Sequence, residues 1–449
     1  MIINKFMLEI YKMNARFGKL LTMIMLITMG TCLTPLAKAE NEMTMQQLRQ
    51  QLDALAQEVS VLRSSQNKTW LDEKRTAEVK SLVKEVLNDA DTRASMLENN
   101  LTAGYNNGFF LASEDGNFKV RVMGMIEFRY GVQLRKNSGD DNGQHGFEIP
   151  AVRYGFKGHI IDPSWQFFIW NGHGTTGGYT PLNAMITKVF NSNWSATVGT
   201  QKVPFLREYL VSETKITFPD RTPLANVFSE GYTEGIWINY KKDWLKAALA
   251  LGDGGSRYVN ANSISDAEGL SVSGRAEVLL AGNWKQAGDI EAWLGEDPFL
   301  LVGGAVHFEQ GEYGDTSDEA QQLSWTVDAN LKYKGFSLMG ALMGKQLSET
   351  TTDTNQMGAL VQGGLFLTND FQVIARYAWG DLDSATEEDL QIVSVGFNKF
   401  FKGHALKFTG EVGYSMNPIT SGWAKAGWQT DGAGEDGQIM ARAELHLLF

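Results

Sequence analysis

The chain has 449 residues, enough for two ordinary domains or one large barrel, and a formal net charge of −12 from 52 acidic and 40 basic side chains. Such an acidic protein is a poor candidate for binding nucleic acid, and its overall field favours cations over anions. The one cysteine, Cys32, lies near the start of the chain, so the remainder contains no disulfide framework.

Residues 1–39 are predicted to be an export signal. Basic residues precede an apolar stretch at 20–33, and Ala37-Lys38-Ala39 forms a small-x-small cleavage site. Removing this segment takes away five basic residues and one acid, which changes the net charge from −12 to −16. No later apolar run reaches the ~20 residues that a spanning helix needs. Any membrane span must therefore belong to a closed barrel, because hydrocarbon does not tolerate unpaired backbone groups.

Residues 43–99 contain neither glycine nor proline and are predicted to be α-helical. Apolar residues in their first part recur at spacings of three and four, which indicates a coiled-coil seam about three heptads long. We interpret the segment as an oligomerising coiled coil in the periplasm. A lone amphipathic helix or a partly disordered leader remains the alternative. A linker rich in Asn and Gly is expected at 101–108. The seam residues are Met45, Leu48, Leu52, Leu55, Val59 and Leu62.

The composition then changes to long stretches of alternating apolar and polar residues. In the first of these, 117–134, one face is apolar and the other carries Lys119, Arg121 and Arg129. A lysine or arginine facing lipid at mid-bilayer costs roughly 2–4 kcal/mol. The charged face is therefore predicted to face a water-filled lumen. Sixteen candidate strands follow this pattern: 117–134, 146–161, 164–171, 181–190, 193–202, 231–241, 243–252, 269–281, 299–310, 321–334, 335–346, 356–367, 370–380, 388–400, 404–416 and 437–449.

The connections between these strands alternate between short and long. Bacterial outer-membrane barrels have tight periplasmic turns, longer outer loops and an even number of strands. The sequence thus predicts an all-β transmembrane barrel of about 16 antiparallel strands at 108–449, preceded by the α-helical coiled coil.

The last strand is predicted to close this barrel. Leu445, Leu447 and Phe449 belong to an apolar row that ends the chain on an aromatic residue, as the final strands of outer-membrane barrels do. The opposite face carries Arg442 and Glu444. Pairing with the strand that begins near residue 119 would leave the sheet without an edge.

A barrel of ~16 strands leaves an aqueous channel, so function is expected in the lumen and in the loop that narrows it. The connection 203–230 is predicted to fold inward and form the constriction. It carries several charged residues, and charges in a narrow pore set ion selectivity. Alternatively, this loop covers the outside of the barrel and its charges are solvated. The cationic residues of the wall would then only hydrate the inner wall and pair with inward acidic residues. The pore-lining and constriction candidates are Lys119, Arg121, Arg129, Arg153, Lys157, Lys202, Arg207, Lys215 and Arg221.

The stretch from Gly199 to Arg221 resembles the segment G-Q-x-K-x-P-F…S…F…R of the phosphate-selective porin O/P family. Residues 147–158 and 288–293 resemble the same family. The resemblance implies a sixteen-stranded trimeric porin in which the loop after the fifth strand folds inward. It also implies a preference for anions or phosphate. Pro150 and Ala151 stand where the family has two adjacent arginines, which favours a general or weakly selective pore.

We therefore predict a homotrimeric porin of the outer membrane of a Gram-negative-type bacterium, in contact with membrane lipid and lipopolysaccharide. It would pass small hydrophilic solutes or ions by passive diffusion, without a cofactor. The six histidines show no zinc-ligand spacing, and no residues form a recognisable catalytic motif. The alternatives are an adhesin-like trimeric surface protein with a stalk and an anchor, and a hydrolase embedded in a barrel.

Overall fold

The computed structural model describes residues 101–105, 108–135, 143–173, 179–254, 270–312, 319–348, 353–424, 426–432 and 434–449. The predicted export signal and coiled coil lie outside these residues. No helix among the described residues is long and apolar enough to cross a membrane.

The described residues form one antiparallel sheet that closes on itself. Of the nineteen described strands, β1 and β2 form a separate hairpin, and β4 and β5 both pair with β3 and act as one strand interrupted at 149–151, so sixteen strands make up the barrel, as predicted. The strands are β1 (Leu101–Tyr105), β2 (Phe109–Ser113), β3 (Lys119–Arg135), β4 (Gly143–Glu148), β5 (Val152–His159), β6 (Trp165–His173), β7 (Tyr179–Val189), β8 (Trp194–Lys202), β9 (Tyr232–Lys241), β10 (Leu245–Gly252), β11 (Leu270–Ala281), β12 (Phe299–Glu312), β13 (Glu319–Tyr333), β14 (Phe336–Ser348), β15 (Asp353–Thr368), β16 (Phe371–Asp381), β17 (Leu390–Phe400), β18 (Leu406–Ser415) and β19 (Gln438–Leu448).

The barrel closes where β19 pairs with β3, which is the pairing expected from the sequence. Phe449 exchanges two backbone hydrogen bonds with Gly124, at 2.8 and 2.9 Å. A Cβ atom at Gly124 would lie 2.3 Å from the ring of Phe449, so only glycine leaves room for this terminal ring. Leu445, Leu447 and Phe449 all face outward and are 42–45% exposed in the isolated chain.

The alternation of side chains on β13 illustrates how the two faces of the sheet differ. Leu323, Trp325 and Val327 point outward and are exposed, as a surface in contact with lipid requires. The intervening side chains point inward and are polar and buried. They are Gln322, Ser324, Thr326, Asp328, Asn330 and Lys332.

Two features of the fold differ from the sequence prediction. The expected linker at 101–108 contains strand β1, which forms a hairpin with β2. Its alternating side chains pair with those of β2, and this pairing overrides the local Asn and Gly content. The second feature is residues 282–298, between β11 and β12, which we call the turn segment. The predicted strands 269–281 and 299–310 already left this long connection between them, but it lies at the end of the barrel where short turns were expected.

Candidate functional site

The connection between β8 and β9 folds into the lumen, as the sequence predicted. This inner loop, residues 203–231, contains the helices α1 (Arg207–Leu210) and α2 (Pro223–Phe228) and a 3-10 turn at Glu213–Lys215. Pro223 stands at the first position of α2, where its fixed φ angle favours helix initiation.

Apolar side chains of the inner loop pack against the inner wall of the barrel. Phe205, Leu224 and Phe228 are 0–1% exposed and belong to one hydrophobic cluster with wall residues of β14 to β17. At Gly380 on β16, a Cβ would lie 2.7 Å from Leu224, so this glycine lets helix α2 approach the wall. Burying such side chains contributes roughly 1.5–3 kcal/mol each. The loop is thus held in the lumen by apolar packing along one side of the barrel.

Inward polar side chains of the wall also bind backbone carbonyls of the inner loop. These bonds satisfy loop carbonyls that would otherwise be buried without donors, which is costly in a dry interior. Most of the donors are lysine and arginine side chains, which alternation along the strands alone would have predicted to line the pore. The donors and accepting carbonyls are Arg275 to Phe205 (2.8 Å), Lys407 to Ile216 (2.5 Å), Asn398 to Thr217 (3.0 Å), Arg376 to Asp220 (2.6 Å) and Lys345 to Val227 (2.9 Å).

The carboxylate of Asp220 joins the inner loop to the two strands that close the barrel. Arg129 on β3 lies 2.8 Å from it, and Arg442 on β19 also donates a hydrogen bond to it. Burial alone would raise the pKa of Asp220, but the two guanidinium groups outweigh it and lower the pKa to about 2. Both arginines have a second carboxylate partner, Glu444 for Arg129 and Glu411 for Arg442.

Five of the nine candidate cations are held by protein groups. Arg129 is paired as described above. The other four bind groups of the inner loop or of the turn segment, so they support the constriction and offer little charge to a passing ion. Their contacts are Arg153 with Glu213 (2.8 Å), Lys202 with the carbonyl of Tyr209 (2.5 Å), Arg207 with the carbonyl of Ala287 (2.5 Å) and Arg221 with the carbonyl of Val211 (2.8 Å).

The other four candidates, Lys119, Arg121, Lys157 and Lys215, form no ion pair within the described part of the chain. Arg121 on β3 and Lys157 on β5 are directly opposite in the sheet, a position at which like charges repel. Lys157 is exposed, and the fields of Arg121 and Lys215 both act on it. Lys119 lies over the ring of Phe110, 4.7 Å from its centroid. The structure thus brings Arg121, Lys157 and Lys215 together, and we call these three residues the basic cluster.

Exposure along the wall shows where the lumen remains open. Lys119, Arg121 and Met123 on β3 retain part of their solvent exposure, and Lys157 on β5 is exposed. Inward side chains on strands away from this wall, such as Arg376 on β16, are almost completely buried. The inner loop, the turn segment and the loop at 416–437 cover those strands. The open path therefore runs off-centre, along the wall that carries the basic cluster.

The turn segment folds back over the end of the barrel, which the sequence analysis did not predict. Its Trp293 packs against Phe366, Phe400 and His404, with ring centroids 4.8–5.5 Å apart. Asp289 lies 2.5 Å from Lys332. The sequence indicates this contact only indirectly: alternation along β13 places Lys332 on the inward face, where a lysine needs a partner.

His404 lies in the turn between β17 and β18, between two carboxylates of the turn segment. Its Nε2 is 3.3 Å from Asp289 and 3.5 Å from Glu291. Burial alone would lower the pKa of His404, but the two carboxylates outweigh it and raise the pKa. The imidazolium form thereby fastens the turn segment to the neighbouring turn.

The sequence profile of the family described as "Phosphate-selective porin O and P" matches residues 123–411. The chain belongs to this family. Its members are porins, so this porin passes small hydrophilic solutes or ions through the lumen of an outer-membrane barrel. The match includes the inner loop, the turn segment and most of the wall. A comparison with curated proteins finds no match.

Solved structures share the barrel fold of this porin at low sequence identity. An anion-selective porin from Comamonas acidovorans matches with a TM-score of 0.57 and 12% identity, covering 74% of this chain and 99% of its own. In-vitro folded OmpT from Vibrio cholerae, in its trimer form, matches with a TM-score of 0.50 and 11% identity, covering 73% and 98%. Salmonella typhi OmpF in complex with daunomycin matches with a TM-score of 0.51 and 14% identity, covering 78% and 100%.

Proposed function

We propose that this porin prefers anions and that the basic cluster produces the preference. The observation that carries the proposal is that Arg121, Lys157 and Lys215 meet on the open side of the lumen without a carboxylate partner among the described residues. Charges that line a narrow pore set its selectivity by their sign. The cluster therefore raises the local concentration of anions and repels cations.

Two acidic groups near the pore, Glu213 and Glu277, do not cancel this field, because basic partners already neutralise them. Glu213 of the inner loop is bound to Arg153 at 2.8 Å, and Glu277 on β11 is bound to Arg275 at 3.0 Å. The uncompensated charge of the open wall is thus positive. This charge suits chloride, phosphate and small organic acids alike, because no described residue adds a further geometric requirement to the cluster.

The test measures the reversal potential of single channels in planar bilayers under a gradient of potassium chloride. Wild-type protein is expected to conduct chloride in preference to potassium. Lys157→Glu and Lys215→Glu should each shift the potential towards cation selectivity, and the double variant should shift it further. Lys242→Glu is the matched control, because Lys242 is an exposed lysine in the turn between β9 and β10. This control should leave the potential unchanged.

Two results would contradict the proposal: cation selectivity of the wild type, or equal shifts in the control and in the cluster variants. Added phosphate distinguishes a general anion pore from a phosphate-preferring one. Millimolar phosphate that blocks chloride current in the wild type but not in Lys157→Glu would indicate preferential binding of phosphate. Simple competition between the ions would indicate a general anion pore.

We further propose the assembly and placement of the remaining chain. Residues 1–39 would direct export, 43–99 would form a periplasmic coiled coil, and 108–449 would form the barrel domain of a homotrimer in contact with lipid and lipopolysaccharide. The heptad seam and the trimer form of OmpT support this arrangement. Conduction would be passive, without catalysis, as membership of a porin family suggests. Cross-linking of wild type and of a chain lacking 43–99 would test whether this segment strengthens the trimer.

A further inference from the structure

Apolar side chains continue the open wall of the lumen next to the basic cluster. On β6, Phe168 lies directly opposite Lys157, and on β7, Met185 lies directly opposite Phe168. Directly opposite residues on adjacent strands share one face of the sheet, so Phe168 and Met185 face the lumen as Lys157 does. Both keep part of their solvent exposure. At this level the open path therefore has a basic side and an apolar side.

The ring of Phe168 is held in a fixed orientation by Trp170. The two rings are stacked, with centroids 6.3 Å apart and an angle of 24° between their planes. Trp170 is fixed in turn, because its indole N–H donates a hydrogen bond to Glu213 of the inner loop at 3.2 Å. A Cβ atom at Gly155, opposite Trp170 on β5, would lie 2.7 Å from the indole, so glycine leaves room for it. Phe168 thus offers a preorganised aromatic surface to the pore.

The exposure of Phe168 and Met185 distinguishes them from inward apolar residues that the inner loop covers. Met339, Met343 and Leu360 on β14 and β15 are 0–1% exposed and belong to the hydrophobic cluster that contains the inner loop. Phe168 packs against a buried cluster on one side only and stays partly open on the other. Apolar surface in contact with water is unfavourable in proportion to its area. A solute with an apolar part is therefore stabilised when it covers this surface.

We propose that the open path favours carboxylates that carry an aromatic ring over polar anions of the same charge. This inference rests on the anion preference proposed above. The basic cluster by itself responds to charge, and the apolar side of the path adds the discrimination. Cβ atoms at directly opposite positions are about 4.5–5.5 Å apart. A small molecule can therefore place its carboxylate at the ammonium of Lys157 and its ring against Phe168.

The test compares how benzoate and gluconate block chloride current through single channels in planar bilayers at pH 7.5. Both probes carry one negative charge, but only benzoate has an aromatic ring. Stacking between aromatic rings predicts that wild type is half-blocked by benzoate at a concentration about fivefold lower than by gluconate. Phe168→Ala should remove this difference by weakening the block by benzoate alone. Phe168→Tyr keeps the ring and should behave as the wild type does.

Phe167→Ala is the matched control, because it removes a neighbouring ring from the outward face of the same strand. Phe167 lies opposite Ile186, which is exposed on the outside of the barrel. This control should leave the block by both probes unchanged. Lys157→Gln, in contrast, should weaken the block by benzoate and by gluconate together, because it removes the charge that both probes need.

Two results would overturn this inference while leaving a preference for chloride over potassium intact. One is an equal block of the wild type by benzoate and gluconate, and the other is an unchanged block by benzoate in folded Phe168→Ala. Cation selectivity of the wild type would instead overturn the proposed function itself. Heat-modifiable mobility in gels shows whether each variant forms a barrel. If Phe168→Ala does not fold, Met185→Gln makes the apolar side more polar at similar length and should also weaken the block by benzoate alone.

Discussion

Replacing Asp220 by asparagine tests whether ion pairs hold the inner loop inside the lumen. The substitution preserves size and one hydrogen-bond acceptor but removes the charge that contacts Arg129 and Arg442. Both arginines keep their second carboxylate partners, Glu444 and Glu411. The variant therefore leaves no unpaired buried guanidinium, and its effect reports the contribution of Asp220 itself.

The magnitude follows from the pKa of Asp220, which falls from an ordinary 3.8 to about 2. Each unit of difference corresponds to about 1.4 kcal/mol, so the charge stabilises the docked loop by about 2–3 kcal/mol. Because the pKa in the folded protein is lowered, this stabilisation is present above about pH 4 and is lost as the pH falls towards 2. At pH 7.5 it is complete. Its loss should increase the population of undocked loop about 60-fold.

Limited trypsin digestion at pH 7.5 measures that population, because Lys215 and Arg221 are cleaved only when the loop leaves the lumen. The cleavage rate follows the open population when reclosing is faster than cleavage. Asp220→Asn should be cut in the loop about 60 times faster than wild type. Asp370→Asn is the matched control: it removes an exposed ion pair with Lys399 in a turn, worth less than about 1 kcal/mol. Unchanged cleavage of Asp220→Asn, or equal acceleration in the control, would refute the reasoning.

Two further predictions concern the closing strand and the turn segment. Leu445→Lys places a charge on the outward face of β19, which costs roughly 2–4 kcal/mol at mid-bilayer. It should therefore reduce the amount of folded barrel in outer membranes far more than Lys157→Gln does. Equal amounts of folded barrel for the two variants, measured by heat-modifiable mobility, would contradict this prediction. His404, held by Asp289 and Glu291, has a raised pKa, so its stabilisation is present below about pH 6.5 and is lost as the pH rises through the folded pKa. From pH 6 to 9.5 the unfolding temperature of wild type should therefore fall more than that of His404→Gln, and parallel curves would count against it.

The strands could be predicted from the sequence because the membrane imposes a simple rule on them. A spanning strand must alternate between lipid and lumen, so its period of two is visible in the residues themselves. The first barrel strand was predicted at 117–134 and lies at Lys119–Arg135. The last strand was predicted at 437–449, lies at Gln438–Leu448 and pairs with the first, as expected from the need to leave no free edge.

The partners of the inward charges could not be predicted, because alternation gives the face of a residue but not its contacts. Arg129 is separated by 91 residues from Asp220 and by 315 from Glu444. Likewise, His307 and Glu309 lie close together in sequence, but Glu230 reaches them only because the inner loop folds inward. The scattered histidines therefore showed no ligand spacing, although the fold brings His307, His404 and His446 each close to two carboxylates.

The sign of the electrostatic field in the lumen also differs from the sign that the net charge of the protein suggests. Interactions between exposed charges are screened beyond about 8–10 Å at physiological ionic strength, so distant groups act weakly on an ion in the pore. Acids on exposed loops, such as Asp383, add to the net charge of −12 without facing the path along β3 and β5. Inside the barrel, the carboxylate of Glu411 lies within an ion pair with Arg376. The charges that act on a passing ion are those left uncompensated beside it, and Lys157, opposite Arg121, makes that local field positive in a protein whose total charge is negative.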